Sequence, residues 1–501
     1  MKKAIVILFA VIFTVLLLCS CGESDPELGS ESDSEEDFSE STGLPEPMSF
    51  EEVSADYPDK TVLVWAVDGH IGNMRTTEIN EYLDSLGCDY AVCFLPVRDT
   101  VMFDSDSDKT SLEQTKKMIN DGQQLDIVYS SNILAGIDDC RSSYQSMVED
   151  GLFISLDEYL NSTEIGKKLY SLMPEKHWEG LKISGQIYGV SGSMNTLSCY
   201  TGYSVDRLVA DEYGFDVNVS PIEQLDILSE IAKEHTVCFS QAFNAPNGYS
   251  PAYLITETTY WDDSEGKAKS VLENEGFLRN LEMFYTLRKN GLVSERNEDL
   301  PFIYFEGNRH GSGSLLEGDR YCQFDKTVYI RSAGSATGIS VNSKYPDKAF
   351  ELLALTQTDP VLNNLLLYGV EGEDYTLADG RVTSKYNFIK TDVFANYLIC
   401  LPDKYLPKNI SNVYRESLEN AKLPGCSGFR LNERDIIETI DKTDYFFLFD
   451  EFGDMLNSDS YESFEALIQA AKVRLDEYGM KELTDEINRQ YEEWKNENEN
   501  N

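Results

Sequence analysis

The sequence predicts an α/β protein of two lobes, and three observations support this interpretation. At 501 residues the chain is longer than a single hydrophobic core usually serves. Apolar runs of strand length alternate with helical patterns after residue 60, as expected for a parallel sheet covered by helices. Residues 185–206 are mostly small or hydroxylated and suit an extended crossing between lobes, with an ordinary surface loop as the alternative.

Local patterns place the elements of the first lobe. Strands are predicted at 61–67, 88–97 and 125–129, and the segments between them have helical periodicity. Ser111 and Gln114 form a capping box for the second of these helices. Because ligands bind beyond the carboxyl ends of parallel strands, the polar residues after the first and third strands mark the predicted binding edge.

The rest of the chain combines shorter elements with a helical C-terminal region. Helices are predicted at 206–214 and 222–235, and a return strand begins at 327. Pro346 and Pro360 stand where prolines occur in the first turn of a helix. Two apolar stripes near the C-terminus are assigned to the core: Phe464, Leu467, Ile468, Ala471, Leu475 and Tyr478, and then Leu483, Ile487, Tyr491 and Trp494.

The N-terminus has the pattern of a lipoprotein leader. Lys2 and Lys3 precede an apolar run over residues 4–18, which is short for a membrane span. The run ends in Leu-Cys-Ser-Cys, which resembles a bacterial lipobox with Cys21 as the acceptor. We therefore expect residues 1–20 to be a signal peptide and Cys21 to be diacylated, so that the lipid holds the protein on the outer face of the cell membrane. An uncleaved anchor or plain secretion is the alternative.

The charge distribution limits the possible partners. Residues 21–59 contain no Lys or Arg and are rich in Glu, Asp and Ser, which predicts a flexible acidic tether. The whole chain carries a formal net charge of −46, so nucleic acid and anionic lipid are repelled. The same charge argues against a polyanionic ligand unless a local basic pocket overrides it.

Several classes of chemistry lack their sequence signals. The ten cysteines include no C-x-x-C pair, so buried thiols are expected, although a disulfide or two remains open. The four histidines are isolated, and we expect no metal site and no cofactor. The chain contains no Gly-x-Ser-x-Gly, Gly-x-Gly-x-x-Gly, P-loop or His-Glu-x-x-His motif.

Residues 338–377 resemble a known family. A short strand leads to a Pro-x-Lys-Ala helix start, a Leu-rich helix pair and a Tyr-Gly-x-Glu-Gly turn, carried by Pro346, Lys348, Ala349, Tyr368, Gly369, Glu371 and Gly372. This pattern resembles the extracellular solute-binding proteins of ABC importers, family 1, and within it a sub-group of Gram-positive lipoproteins thought to bind oligosaccharides. Further matches follow in the same order at 126–131, 151–160, 187–214 and 466–494.

The resemblance implies a type II periplasmic-binding-protein-like fold that closes on a solute and delivers it to a permease. Lobe 1 would comprise 60–198 and 327–370, and lobe 2 would comprise 199–326 and 371–501. Hinge motion is expected at 200–206 and 327–338. Such a protein would be a monomer and not an enzyme.

Candidate ligand-binding residues follow from what a sugar requires, namely flat apolar rings and fixed polar groups. Trp65, Tyr203 and Trp261 are the predicted platforms, and packing in a core or on the surface is the alternative for each. The predicted polar groups are Asp68, Ser130, Ser131, Asn132, Asn195 and Ser335, for which loop capping is the alternative.

Two other functions remain open at this stage. A surface glycoside hydrolase would also be secreted and aromatic-rich, but among 88 acidic residues the presence of some carboxylate pair carries no information. A carbohydrate-binding or adhesive lipoprotein would explain the anchor, but not the parallel-sheet lobe and the crossing.

Overall fold

The computed structural model describes most of the chain after the predicted tether. The described residues are 48–68, 74–97, 111–130, 134–136, 139–192, 196–197, 202–239, 253–294, 302–306, 320–324, 329–385, 391–404, 406, 408–433 and 436–499. The predicted signal peptide and Cys21 lie outside them. No helix in these ranges has the length and apolar character that a bilayer crossing requires, and no group of three or more His, Cys, Asp or Glu in them could hold a metal ion.

The strands and helices occur in the following order. The strands are β1 Thr61–Asp68, β2 Tyr90–Val97, β3 Ile127–Ser130, β4 Leu134–Gly136, β5 Asp139–Ser142, β6 Lys182–Ile183, β7 Gln186–Ile187, β8 Gly189–Val190, β9 Gly202–Asp206, β10 Cys238–Phe239, β11 Tyr253–Leu254, β12 Thr259–Asp262, β13 Lys267–Ser270, β14 Val293–Ser294, β15 Ile303–Glu306, β16 Arg320–Phe324, β17 Ala336–Ile339, β18 Tyr375–Ala378 and β19 Arg381–Ser384. The α helices are α1 Phe50–Asp56, α2 Thr76–Ser85, α3 Ser111–Asn120, α4 Ser143–Glu149, α5 Asp157–Ser162, α6 Glu164–Leu172, α7 Glu175–Leu181, α8 Arg207–Tyr213, α9 Leu225–Ile231, α10 Glu275–Lys289, α11 Pro346–Thr358, α12 Pro360–Tyr368, α13 Thr391–Phe394, α14 Ile410–Asn420, α15 Ile437–Ile440, α16 Phe452–Asn457, α17 Phe464–Glu477 and α18 Met480–Glu499. A π-helical segment, Asp441–Glu451, connects α15 to α16.

The first core surrounds a five-stranded sheet in the order β2-β1-β3-β17-β8. β1 is parallel to both β2 and β3, as the alternating pattern predicted. β17 is antiparallel to β3 and to β8. Because β8 ends at Val190 and β17 begins at Ala336, the chain returns to this sheet after a long intervening segment. The parallel strands are almost wholly buried, because helices cover both faces and every position can be apolar. Asn80 on α2 fixes one covering helix, since its side chain exchanges two hydrogen bonds with the backbone of Val92, at 2.7 and 2.9 Å.

The second core forms separately around β12, β13 and the long helices α10, α17 and α18. The two predicted apolar stripes contribute Leu467, Leu475, Leu483 and Ile487 to it, each at most 1% exposed. Because the two clusters do not share residues, the protein has two lobes with a helical C-terminal region, as predicted.

The chain stays with the first core beyond the predicted boundary at residue 370. Phe394 and Cys400 are buried in that core, and the chain joins the second core only near Cys426. A small third cluster lies between these segments and is formed by Leu197, Ile330, Ile410, Tyr414, Leu418 and Ala421. Each large core is therefore assembled from two separate parts of the sequence, and the chain passes between the lobes three times.

The three crossings are hydrogen-bonded side by side. Leu197 and Ile330 form an antiparallel bridge, and Tyr329 forms a parallel bridge with Lys422. The backbone N–H of Ile330 donates to the carbonyl of Lys422 at 2.8 Å, and that of Arg331 donates to Thr196 at 2.9 Å. The predicted hinge range 327–338 contains the second crossing. The other predicted range, 200–206, falls largely in β9, which is the central strand of a sheet with β15 and β16.

A buried histidine supports the first crossing. His177 on α7 is 0% exposed, and its Nδ1 lies 2.9 Å from the Oγ1 of Thr196. Burial lowers the pKa of His177 from 6.5 to about 4, so the ring is neutral in the folded protein at pH 7.

The turn after α12 depends on glycine and on an ion pair. Gly369 has φ +78°, and a Cβ there would lie 2.1 Å from the Oδ2 of Asp374. That carboxylate accepts hydrogen bonds from the Nε and Nη2 of Arg75 at 2.8 and 2.7 Å, and from the Val370 N–H at 2.8 Å. Gly372 in the same turn has φ +86° but open space around its Cβ position.

We expect Gly369→Ala to lower the free energy of unfolding more than Gly372→Ala does. Both variants incur the cost of a positive φ, which is about 1 kcal/mol for ordinary left-handed backbone. The cost is higher at Gly369, because its ψ of −139° lies outside the left-handed helical region. Gly369→Ala also forces Asp374 away from Arg75, which adds a cost of about 1–3 kcal/mol. Urea unfolding of the two variants measures the difference, and equal losses would show that Asp374 moves without cost.

We expect stability to fall as the pH drops through the titration range of His177. The unfolded chain binds the proton at the ordinary pKa of about 6.5, whereas the folded chain resists it to about 4. The contribution is therefore present above pH 6.5 and is lost toward pH 4, by up to about 3 kcal/mol.

Unfolding of the wild type, His177→Gln and His235→Gln between pH 4 and 7 separates this effect from general acid denaturation. His235 is exposed and serves as the matched control. An unchanged pH slope in His177→Gln would contradict the expectation.

Candidate ligand-binding site

Two of the crossings leave the first lobe at one edge of its sheet. β3 ends at Ser130, which is paired with Ala336 at the start of β17. β8 runs antiparallel to β17 and therefore ends at this same edge, just before the first crossing. β1 ends there too, at Asp68. The candidate site thus lies at the carboxyl edge of the parallel strands, where ligands of open α/β sheets bind.

Arg430 reaches this junction from the second lobe. It follows Phe429, which belongs to the second core, and its Nη1 is 3.4 Å from the Oε1 of Gln145 on α4 of the first lobe. Its Nε and Nη2 are buried and have no hydrogen-bond partner among the described residues. Burial lowers the pKa of Arg430, while nearby Tyr144 and Glu149 favour its charged form. A guanidinium with free donors therefore lies at the boundary between the lobes.

Two tyrosines accompany this guanidinium. The ring of Tyr253 on β11 lies 6.1 Å from that of Tyr329 in the second crossing, edge to face. Burial raises the pKa of Tyr253 to about 12, while Arg430, Arg331 and a hydrogen bond from the Ser332 backbone oppose this shift. Tyr253 therefore lies near both Arg430 and the second crossing.

A lysine completes the basic groups at the crossings. The Nζ of Lys422, in the third crossing, lies 5.9 Å from the centre of the Tyr329 ring. The arrangement offers hydrogen-bond donors and aromatic rings together, the combination with which proteins hold sugars. We define the junction site by Gln145, Tyr253, Tyr329, Lys422 and Arg430.

The residues of the junction site were not predicted from the sequence. No local motif marks Arg430, which follows a Pro- and Gly-containing turn in a segment predicted to be helical. The available signal was the scarcity of basic residues, 42 against 88 acidic ones, which makes any buried arginine notable. Burial, however, is visible only in the fold.

Two predicted aromatic platforms are buried in the cores. Trp65 is 1% exposed, and its ring centre lies 5.8 Å from that of Phe94 and 5.3 Å from that of Phe394. Trp261 belongs to the second core, is 4% exposed, and its ring centre lies 4.3 Å from that of Tyr491 in the same core. Both rings are therefore packed in the cores, the alternative that the sequence left open, and their role in binding stays a prediction.

The predicted polar residues divide into two groups. Ser130 lies at the predicted edge, but its Oγ donates to the Ala336 carbonyl at 2.7 Å and accepts from the Ala336 N–H at 3.1 Å, which ties β3 to β17. Ser335 is adjacent and is 0% exposed. The other predicted residues lie wholly or partly outside the described parts of the chain. The undescribed parts are the side chains of Asp68 and Tyr203 and the whole of Ser131, Asn132 and Asn195. Their role in binding stays a prediction.

Comparisons with known proteins add to this geometry. No family model matches the chain. The chain is 22% identical over 419 residues, 74% of its length, to a protein of Streptococcus pneumoniae serotype 4 named carbohydrate ABC transporter substrate-binding protein, and covers 80% of that relative.

Solved structures give the fold. The N-glycan transport solute binding protein NgtS from Streptococcus pneumoniae superposes with a TM-score of 0.63 at 18% identity, covering 87% of this chain and 99% of that one. The same protein in complex with Man1GlcNAc gives a TM-score of 0.52, at 18% identity and with the same coverage of the two chains. The chain therefore has the two-lobed fold of the solute-binding proteins and is related in sequence to a substrate-binding protein of an ABC transporter, which confirms the resemblance identified in its sequence.

Proposed function

We propose that this protein is an extracellular solute-binding lipoprotein that captures an oligosaccharide between its lobes and delivers it to an ABC transporter permease. The observation that carries the proposal is the junction of the lobes. There, three hydrogen-bonded crossings lie beside the carboxyl edge of the sheet, and Arg430 of one lobe meets Gln145 of the other.

The junction supports a trap that closes by rotation. The crossings hold the lobes along a narrow line, and a few extended residues there would absorb the change in angle. The contact between Arg430 and Gln145 is long at 3.4 Å, so a ligand with hydroxyl groups could replace or shorten it. Tyr253 and Tyr329 would pack against the C–H faces of the sugar rings.

The nature of the cargo is inferred from the relatives. The curated relative is named for carbohydrate, and NgtS has been crystallised with Man1GlcNAc and with Man5GlcNAc. At 18–22% identity these names do not transfer a particular sugar to this chain. They support the class of cargo, an oligosaccharide, which agrees with the aromatic and polar composition of the junction site.

We further propose that the protein is not an enzyme. The relatives are binding proteins, and a glycoside hydrolase needs a pair of carboxylates across the scissile bond. In the described part of the junction, Glu149 is the carboxylate whose charge raises the pKa of Arg430. The remaining parts of the proposal, a monomer anchored through Cys21 and delivering to a permease, come from the lipobox and the family resemblance.

We expect one class of oligosaccharide to raise the thermal stability of the chain from Gly22 to Asn501, whereas peptides and metal ions do not. Ligand at 100 times its dissociation constant adds roughly 2.7 kcal/mol to the free energy of unfolding. Small-angle X-ray scattering on the same samples should show a smaller radius of gyration with ligand, because the lobes close.

Two results would contradict the proposal. Conversion of the bound sugar during prolonged incubation, followed by chromatography, would favour the glycoside hydrolase. No stabilisation by any oligosaccharide in a broad panel would remove the support for a sugar trap.

A further inference from the structure

The guanidinium of Arg430 forms no ion pair with a carboxylate among the described residues. Four arginines elsewhere in the described chain, Arg75, Arg288, Arg474 and Arg489, each form an ion pair with a carboxylate at 2.6–3.1 Å. Arg430 has instead one long hydrogen bond to an amide oxygen, and its Nε and Nη2 are buried without partners. A chain with 88 acidic residues does not lack carboxylates to pair with it.

The free atoms of Arg430 match a particular partner. Nε and Nη2 point along the same edge of the guanidinium and bind the two oxygens of a carboxylate side by side. Arg75 uses these same two atoms to hold Asp374, at 2.8 and 2.7 Å. The edge of Arg430 that is free is thus the edge that holds a carboxylate elsewhere in this protein.

None of the described residues supplies a carboxylate to this edge. Glu149 on α4 favours the charged form of Arg430 but forms no hydrogen bond with it, and one of its oxygens accepts from the Nε2 of Gln145 at 2.6 Å. The charge of Arg331 lowers the pKa of Tyr253, as the charge of Arg430 does. Burying an unpaired charge is costly unless a partner arrives to neutralise it.

We propose that the ligand is an acidic oligosaccharide whose sugar carboxylate, from a uronic or a sialic acid residue, binds the Nε and Nη2 of Arg430. This proposal rests on the proposed function and specifies its cargo. The charge of the whole chain repels polyanions, but Arg430, Arg331 and Lys422 make the junction locally basic. A ligand with one or a few carboxylates satisfies both conditions.

The test compares each acidic oligosaccharide with its own methyl ester, which has the same shape but no charge. Isothermal titration of the full chain, in a detergent without a sugar head group, would use oligogalacturonates, sialyllactose and their methyl esters beside neutral oligosaccharides. We expect at least one acid to bind about 10-fold or more tightly than its ester, because hydrogen bonds to charged groups are the stronger ones.

Variants of the arginine then locate the effect. Arg430→Gln should weaken binding of the acid by about 10- to 100-fold and weaken binding of the ester by a smaller factor, and Arg430→Lys should lose less because it keeps the charge. Arg415→Gln is the matched control, since Arg415 on α14 contacts the carbonyl of Leu172 at 3.4 Å and not the junction site. Without ligand, Arg430→Gln should melt at or above the wild-type temperature, because it removes an unpaired buried charge.

The outcomes separate this proposal from the function on which it rests. Equal binding of acid and ester, or tighter binding of neutral sugars, overturns the acidic cargo and leaves the sugar trap standing. A lower melting temperature for Arg430→Gln without ligand also overturns it, because Arg430 would then serve the fold. Absence of binding by every sugar overturns the proposed function itself.

Discussion

The hydrogen bonds between the three crossing segments are the constraint on which the arrangement of this protein depends. Leu197, Ile330 and Lys422 lie side by side, while the two large apolar clusters remain separate. The lobes are therefore joined along a narrow line of backbone, supported by the third cluster and by His177 on the side of the first lobe. Such a junction fixes where the lobes meet and lets contacts away from the line set the angle between them.

The electrostatics of the junction follow from this construction. Within the first lobe, the buried Asp374 is paired with Arg75. Between the lobes, the Nε and Nη2 of Arg430 are buried without a hydrogen-bond partner among the described residues, a state that costs free energy. A ligand carboxylate bound there would also lie beside Gln145 of the first lobe. Binding and closure would therefore be coupled through one side chain, since the ligand gains most when the lobes are together.

The binding edge was predictable, but the side chains that line it were not. Alternating strands and helices placed the edge at the ends of β1 and β3, and the structure brings the crossings to that edge. Trp65 near the end of β1 was the best candidate for a platform, yet helices cover both faces of the sheet and its ring packs between Phe94 and Phe394. A position near the end of a strand does not reveal whether a side chain points into a covered face.

By itself the sequence determined the two-lobed α/β class, the first parallel strands, the first-turn prolines Pro346 and Pro360, and the apolar faces of the last two helices. These are local properties, fixed by periodicity and capping over a few turns. Only the tertiary structure decided the third crossing and the meeting of Gln145, Tyr253 and Arg430. These residues are far apart in the chain, and the feature that marks the site, the burial of the Nε and Nη2 of Arg430, exists only once the lobes have folded and removed water from around these atoms.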